Sequence, residues 1–466
     1  MARPAPLALT LLAGLSLTLT CAPAAHAQPK DRQAFERKAQ QLKITVDPSA
    51  KLQDRLFLKE RTRPWQLDIE MRVPTPSSRT PAEFNTPEAA GRILSSDTTL
   101  WNTTQVGNAI TRNVDRNTRL NWSKAQLFFP VPKSSVNALF SRRAFNVRYT
   151  LTGHQTTELT LDKATMIEGD AGERYLRLDL PEAKNADLNL RIKTGMICSD
   201  LIIDEETAQG LDWPKAWSGV AQSALKPVYL VDWLTDVKQA DENGKLLDEF
   251  NKQALGGRDP KTMKPYEVVK LISAHALTAL RTSNEWEIKG EGSYVLGFTY
   301  YPIDRVLDKN MRCPEDWAPF VLAAALRRAG VPARTVIGMD IEDKARDDGV
   351  FSANTKAKLH TWIEFMLADG AANQEAWVPL DINKQRKASS RAPAPNVPWR
   401  FVGNHEDMEY LIPVSYSLLP PSSAAVRLPN LWGWRVDPAT PPVLAGLRIS
   451  AASPSSRERE PNQPTP

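Results

Sequence analysis

Residues 359–381 spell out a two-stranded hairpin. In Leu359–Leu367 the side chains alternate, so Leu359, Thr361, Ile363 and Phe365 share one face. His360, Trp362 and Glu364 share the other. Asp369-Gly370-Ala371 reads as the turn, and Trp377–Asp381 as the returning strand. In such a hairpin the start of the first strand lies beside the end of the second. His360 and Asp381 are therefore expected as neighbours. A carboxylate in that place holds an imidazole in one tautomer and stabilises its cation.

A thiol lies upstream. Cys313 precedes an apolar helical run that ends in Arg327-Arg328-Ala329-Gly330-Val331-Pro332-Ala333-Arg334. The positive end of a helix dipole favours thiolate. Cys313, His360 and Asp381, in that order, suit a nucleophile, a base and an orienting acid. Pro314 and Pro319 flank the helix start. Pro319 fits only a first turn, so Asp316 is expected as the N-cap, with Cys313 in the loop before it.

The rest of the chain reads as α+β. From about Thr62 to Leu230 apolar residues recur at every second position, as in Trp65, Leu67, Ile69, Met71 and Val73, or Phe145, Val147, Tyr149 and Leu151. Leu176, Leu178 and Leu180, then Leu188, Leu190 and Ile192, repeat the pattern, which suggests a sandwich-like domain. A short helix is read near Pro87–Leu94. Tyr266–Leu280 has helical periodicity, and strands follow at Ser293–Leu296, Thr335–Met339 and Leu411–Leu418. The division is residues 1–27 as a signal peptide, 28–235 as a β-rich domain, and 236–420 as the domain holding the hairpin. Residues 421–466 read as an extension with a disordered tail from Ser450 onward.

Arg3, the apolar run Leu7–Leu19 and Ala25-His26-Ala27 form the signal pattern, which places the mature chain in the periplasm or outside the cell. No other run is long enough to span a bilayer, so no membrane span is expected in the mature chain. The formal net charge is +5, with both signs interspersed, so no nucleic-acid footprint stands out. Of 3 cysteines only Cys198 and Cys313 follow the signal segment, which argues against a disulfide scaffold. A single Cys198–Cys313 disulfide is the alternative. His405-Glu406-Asp407-Met408-Glu409 lacks the second histidine of a zinc helix, and no metal or cofactor is expected.

Residues 266–385 resemble the core of the transglutaminase-like superfamily of cysteine enzymes. The resemblance rests on the Arg327–Arg334 run, on His360-Thr361-Trp362-Ile363-Glu364 and on Trp377-Val378-Pro379-Leu380-Asp381, with Tyr294 and Pro302-Ile303-Asp304 upstream. It implies a papain-like core in which Cys313 is nucleophile, His360 base and Asp381 orienting acid. Tyr294 and Trp362 would support the substrate or the oxyanion. The implied activity is cleavage or transfer of acyl groups on peptide or isopeptide amides through a thioacyl intermediate, with a peptide or protein as substrate. The alternative is a catalytically inactive binding or scaffold protein that keeps the fold.

Overall fold

The computed structural model describes residues 50–73, 120–131, 135–168, 173–228, 231–232, 237–283, 288–291, 294–298, 301, 303–307, 312–341, 348–351, 358–389, 391–419, 429–437 and 446–453. The signal segment 1–27 and the helix read near Pro87–Leu94 lie outside the described residues.

The amino-terminal half is built on β1 (Phe57–Val73), β2 (Lys124–Pro130), β3 (Ala138–Leu151), β4 (Arg174–Leu180) and β5 (Leu188–Ile203). The period-two pattern predicts their inward rows. Trp65, Leu67, Ile69, Met71 and Val73 of β1 are all buried, as are Leu127 and Phe129 of β2 and Leu176 and Leu178 of β4. These rows share one continuous apolar core, as facing sheets do.

The second half holds α1 (Val237–Ala254), α2 (Pro265–Ala279), α3 (Ala318–Arg328), β6 (Ala333–Asp340), β7 (Lys358–Asp369), β8 (Gln374–Leu380), α4 (Ile382–Ala388) and β9 (Leu411–Ser415). The last two strands are β10 (Gly433–Asp437) and β11 (Gly446–Ala452). A 4-stranded antiparallel sheet runs β8-β7-β6-β9. β7 and β8 are the hairpin read from the sequence, with Ile363 opposite Leu380.

Both faces of β7 are buried from Leu359 to Ala368, which one-sided alternation does not anticipate. On one face Phe365 stacks on Tyr266 of α2, with ring centroids 6.2 Å apart. On the other, the amino-terminal half closes in, and the Val136 amide donates to Glu364 Oε1 at 3.3 Å.

Helix α3 is buried at every position from Ala318 to Arg327, as a central core helix must be. Gly330 stops it. With φ +86° it allows Gly330 N–H to donate to Arg327 O (2.9 Å) and Val331 N–H to Leu326 O (3.0 Å). That pair of bonds is a Schellman motif, and Pro332 then prevents any continuation.

The carboxy-terminal segment differs from a simple extension. β10 pairs with β2, and β11 pairs with β1 over Gln66–Arg72. β11 also pairs with Asp348–Phe351 and, at Leu447, with Val295 of Tyr294–Phe298. The strand runs to Ala452, past Ser450 where a disordered tail was expected. The cause is apolar alternation: Leu447, Ile449 and Ala451 are buried beside β1.

Candidate active site

Asp381 ends β8 and caps α4. Its Oδ1 accepts from the Lys384 amide at 2.9 Å, an ordinary N-cap bond. Its Oδ2 accepts from His360 Nε2 at 2.5 Å and faces His405 Nε2 at 3.3 Å. Burial alone would push this carboxyl up. The two histidines reverse that and hold it well below the usual carboxylate range.

His360 lies near the start of β7, opposite Gly338. Burial disfavours its cation, but Asp381, with help from Asp340 and Asp316, overcomes this and holds its pKa above the ordinary value. Trp362 supports the ring from one side, stacked at 6.2 Å and 22°. Trp362 is itself fully buried and wedged against Gly338, where an added Cβ would meet the indole at 2.6 Å. Its Nε1 has no hydrogen-bond partner among the described residues. Tyr294 begins the strand Tyr294–Phe298, but its side chain lies outside the described residues.

The other nitrogen of His360 meets Asp316, not the thiol. Asp316 Oδ1 lies 3.6 Å from His360 Nδ1. Asp316 is not the N-cap expected of it. A 3₁₀ turn, Glu315–Trp317, precedes α3, and Trp317 occupies the cap without a side-chain bond. The Asp316 carboxylate instead accepts from the Thr361 amide of β7 at 3.2 Å, while its carbonyl accepts from Thr361 Oγ1 at 2.5 Å. Burial pushes the Asp316 carboxyl up to about 6, against the opposing pull of His360 and the Thr361 amide.

Cys313 is fully buried and pairs in parallel with Thr282 just after α2, its amide donating to Arg281 O at 3.1 Å. Among the described residues no hydrogen bond joins its Sγ to His360. Burial pushes the thiol up to about 12, although Arg386 of α4 pulls the other way. Cys198 and Cys313 are both free, so the alternative of a disulfide between them does not hold.

The structure thus brings His360 and Asp381 together and leaves Cys313 outside their hydrogen bonds. Two side chains join them that sequence reasoning missed. The sequence presents Asp316 as a helix cap and His405 as half of a zinc motif. Among the described residues no group of three His, Cys, Asp or Glu side chains is arranged to hold a metal ion.

The family motifs have structural roles as well. Arg334 makes a buried two-pronged contact with Glu364 Oε2, through Nε at 2.9 Å and Nη2 at 2.6 Å. Its guanidinium lies between the rings of Trp377 and Tyr416, 4.1 and 4.0 Å from their centroids. Arg327 pairs with Asp232 at 2.6 Å. The Arg334 contacts join β6, β7 and β8, while Arg327 ties α3 to the segment before α1 and donates from Nη1 to Ala333 O of β6 at 3.3 Å.

Residues 269–382 match the family model described as the transglutaminase-like superfamily. This segment is a transglutaminase-like core. The match runs from Val269 within α2 to the first residue of α4, and so contains Cys313, Asp316, His360 and Asp381. His405 falls beyond it. No curated protein matches the chain. Among solved structures, one described as "a Putative Cysteine Protease from Cytophaga hutchinsonii" aligns at 11% identity over 88% of this chain and 95% of that one, with a TM-score of 0.43. A second, described as "a Putative Protease from Parabacteroides distasonis", aligns at 10% identity over 56% of this chain and 63% of that one, with a TM-score of 0.17. Among the described residues no helix is long and apolar enough to cross a membrane.

Proposed function

We propose that the transglutaminase-like core is that of an exported cysteine enzyme acting on peptide or isopeptide amides. The observation that carries this reading is the His360–Asp381 contact of 2.5 Å, which leaves Nδ1 of the imidazole turned to the segment following Cys313. In the reaction the Cys313 thiolate adds to the amide carbonyl carbon. The C–N bond breaks, and His360 protonates the departing amine. Water, deprotonated by His360, then cleaves the thioester and restores the thiol. Asp381 keeps the ring oriented and stabilises its cation throughout.

This chemistry requires Cys313 Sγ to take the place at Nδ1 that Asp316 occupies in the resting structure. The test is alkylation by iodoacetamide at pH 6, read by peptide mass spectrometry. Cys198, fully buried and with its thiol pushed up, serves as the internal control. Cys313 should be alkylated selectively, and His360→Ala should slow that labelling by about tenfold or more. Equal inertness of both cysteines would remove the reading.

A second reading is favoured by a different observation. Asp316 is already the counter-ion of His360, and Cys313 is buried with its thiol raised to about 12. A binding protein that has kept the fold without the chemistry fits that resting state. It calls for no selective labelling of Cys313 in either the wild type or Asp316→Ala.

A further inference from the structure

His405 shows no solvent exposure, and burying an imidazole without partners is costly. Its surroundings fix it firmly. Its backbone pairs with Leu201 at the end of β5, with His405 N–H donating at 2.9 Å and Leu201 N–H donating back at 3.4 Å. Phe401 meets its ring edge-on, with centroids 5.2 Å apart. The preceding turn depends on Gly403, whose φ is +76° and whose missing Cβ leaves room for Ile203. The Leu201 bridge therefore ties the backbone that carries this imidazole to the amino-terminal half.

That imidazole lands on an oxygen already in use. Asp381 Oδ1 is occupied by the Lys384 amide, and Oδ2 faces both His360 and His405. The Asp381 carboxylate only accepts, as does the Glu406 carbonyl 3.3 Å from His405 Nδ1, so the bond to Asp381 requires the proton on Nε2. Two donors on one oxygen divide its charge. We infer that His405 is a positioning residue of this site: its Nε2–H anchors Oδ2 of Asp381 and so sets how strongly Asp381 holds His360. The inference rests on the proposed function for its catalytic meaning, but the geometry it describes is independent of Cys313.

Its test is therefore made on the imidazoles. The groups facing His360 are Asp381, Asp316 and Asp340. Those facing Asp381 Oδ2 are His360 and His405. In the full chain labelled with ¹⁵N-histidine, His360 should titrate higher in His405→Leu than in the wild type, by about half a pH unit or more, because Asp381 then serves one imidazole. His405→Gln, which keeps an N–H donor, should return the titration toward the wild-type value. An identical titration of His360 in folded His405→Leu overturns the inference. If the leucine variant does not fold, the wild-type spectrum decides: His405 protonated on Nε2 supports the inference, and protonation on Nδ1 alone overturns it. A moved His360 titration together with an inert Cys313 would sink the enzyme reading and leave this one standing.

Discussion

Asp381 gathers an amide and two imidazoles on a single buried carboxylate. Removing its charge takes away the largest of the influences that raise the His360 pKa against burial. Asp381→Asn keeps the shape and part of the helix cap but breaks a buried charge pair, at a cost of about 3–5 kcal/mol. Urea unfolding should show that loss. The loss should also depend on pH. His360 has a raised pKa in the folded state, so its contribution is complete below its ordinary value of about 6.5 and fades as pH rises through the folded one. Asp381 has a lowered pKa, so its contribution is complete above about 4 and fades as pH falls further. The wild type should therefore exceed Asp381→Asn most between about pH 4 and 6.5, with the gap narrowing on either side. Asp316 acts in the opposite sense to Asp381: with its carboxyl raised to about 6, it loses stabilisation as pH rises through that value. Asp316→Asn should flatten the stability profile between about pH 4 and 6, which the same unfolding series reads. Of this cluster, His360 and Asp381 were legible because a hairpin with period-two alternation fixes which side chains meet. Asp316 was not, because its role depends on a 3₁₀ turn that displaces the start of α3. His405 was not, because its partner on β5 is far away in sequence.

At the scale of elements, β6 is held between β7 and β9 by a close approach at one residue. A Cβ at Gly338 would lie 2.5 Å from the Ile412 carbonyl and 2.6–2.7 Å from the Trp362 ring. Neither can yield cheaply, since one is backbone and the other lies beneath His360. Gly338→Ala should therefore cost at least the ~1–3 kcal/mol typical of overpacking, seen by calorimetry as a Tm several degrees lower. It should also disturb the His360 ring, through Trp362. An unchanged Tm would mean that β6 and β9 are less tightly apposed than described. The strand carrying Gly338 was readable from Thr335–Met339, and the neighbouring Arg334 from its motif. What alternation could not convey is that β7 is covered on both faces. That depends on α2 and the amino-terminal half arriving from opposite sides.

At the scale of the whole molecule, β11 pairs with strands far from it in sequence. The sequence presents residues 421–466 as an appendage, because a lone strand far from its partners carries no local sign of where it pairs. In the structure β11 lies between β1 and Tyr294–Phe298, so the end of the chain ties the β-rich half to the transglutaminase-like core. Deleting residues 446–466 exposes the flank of β1 and takes Leu447, Ile449 and Ala451 out of the core. At about 25 cal/mol per Å² of apolar surface, three such side chains contribute several kcal/mol, comparable to the whole stability of a typical domain. The bare edge of β1 is also a template for aggregation. That truncation should yield protein that is largely insoluble, or whose melting is broad and non-cooperative. Deleting only residues 454–466 leaves every pairing of β11 in place and should shift Tm by less than about 2 °C. Thermal melts of the two truncations side by side check the point, and a cooperative wild-type melt for the longer deletion would show that β11 does not hold the two halves together.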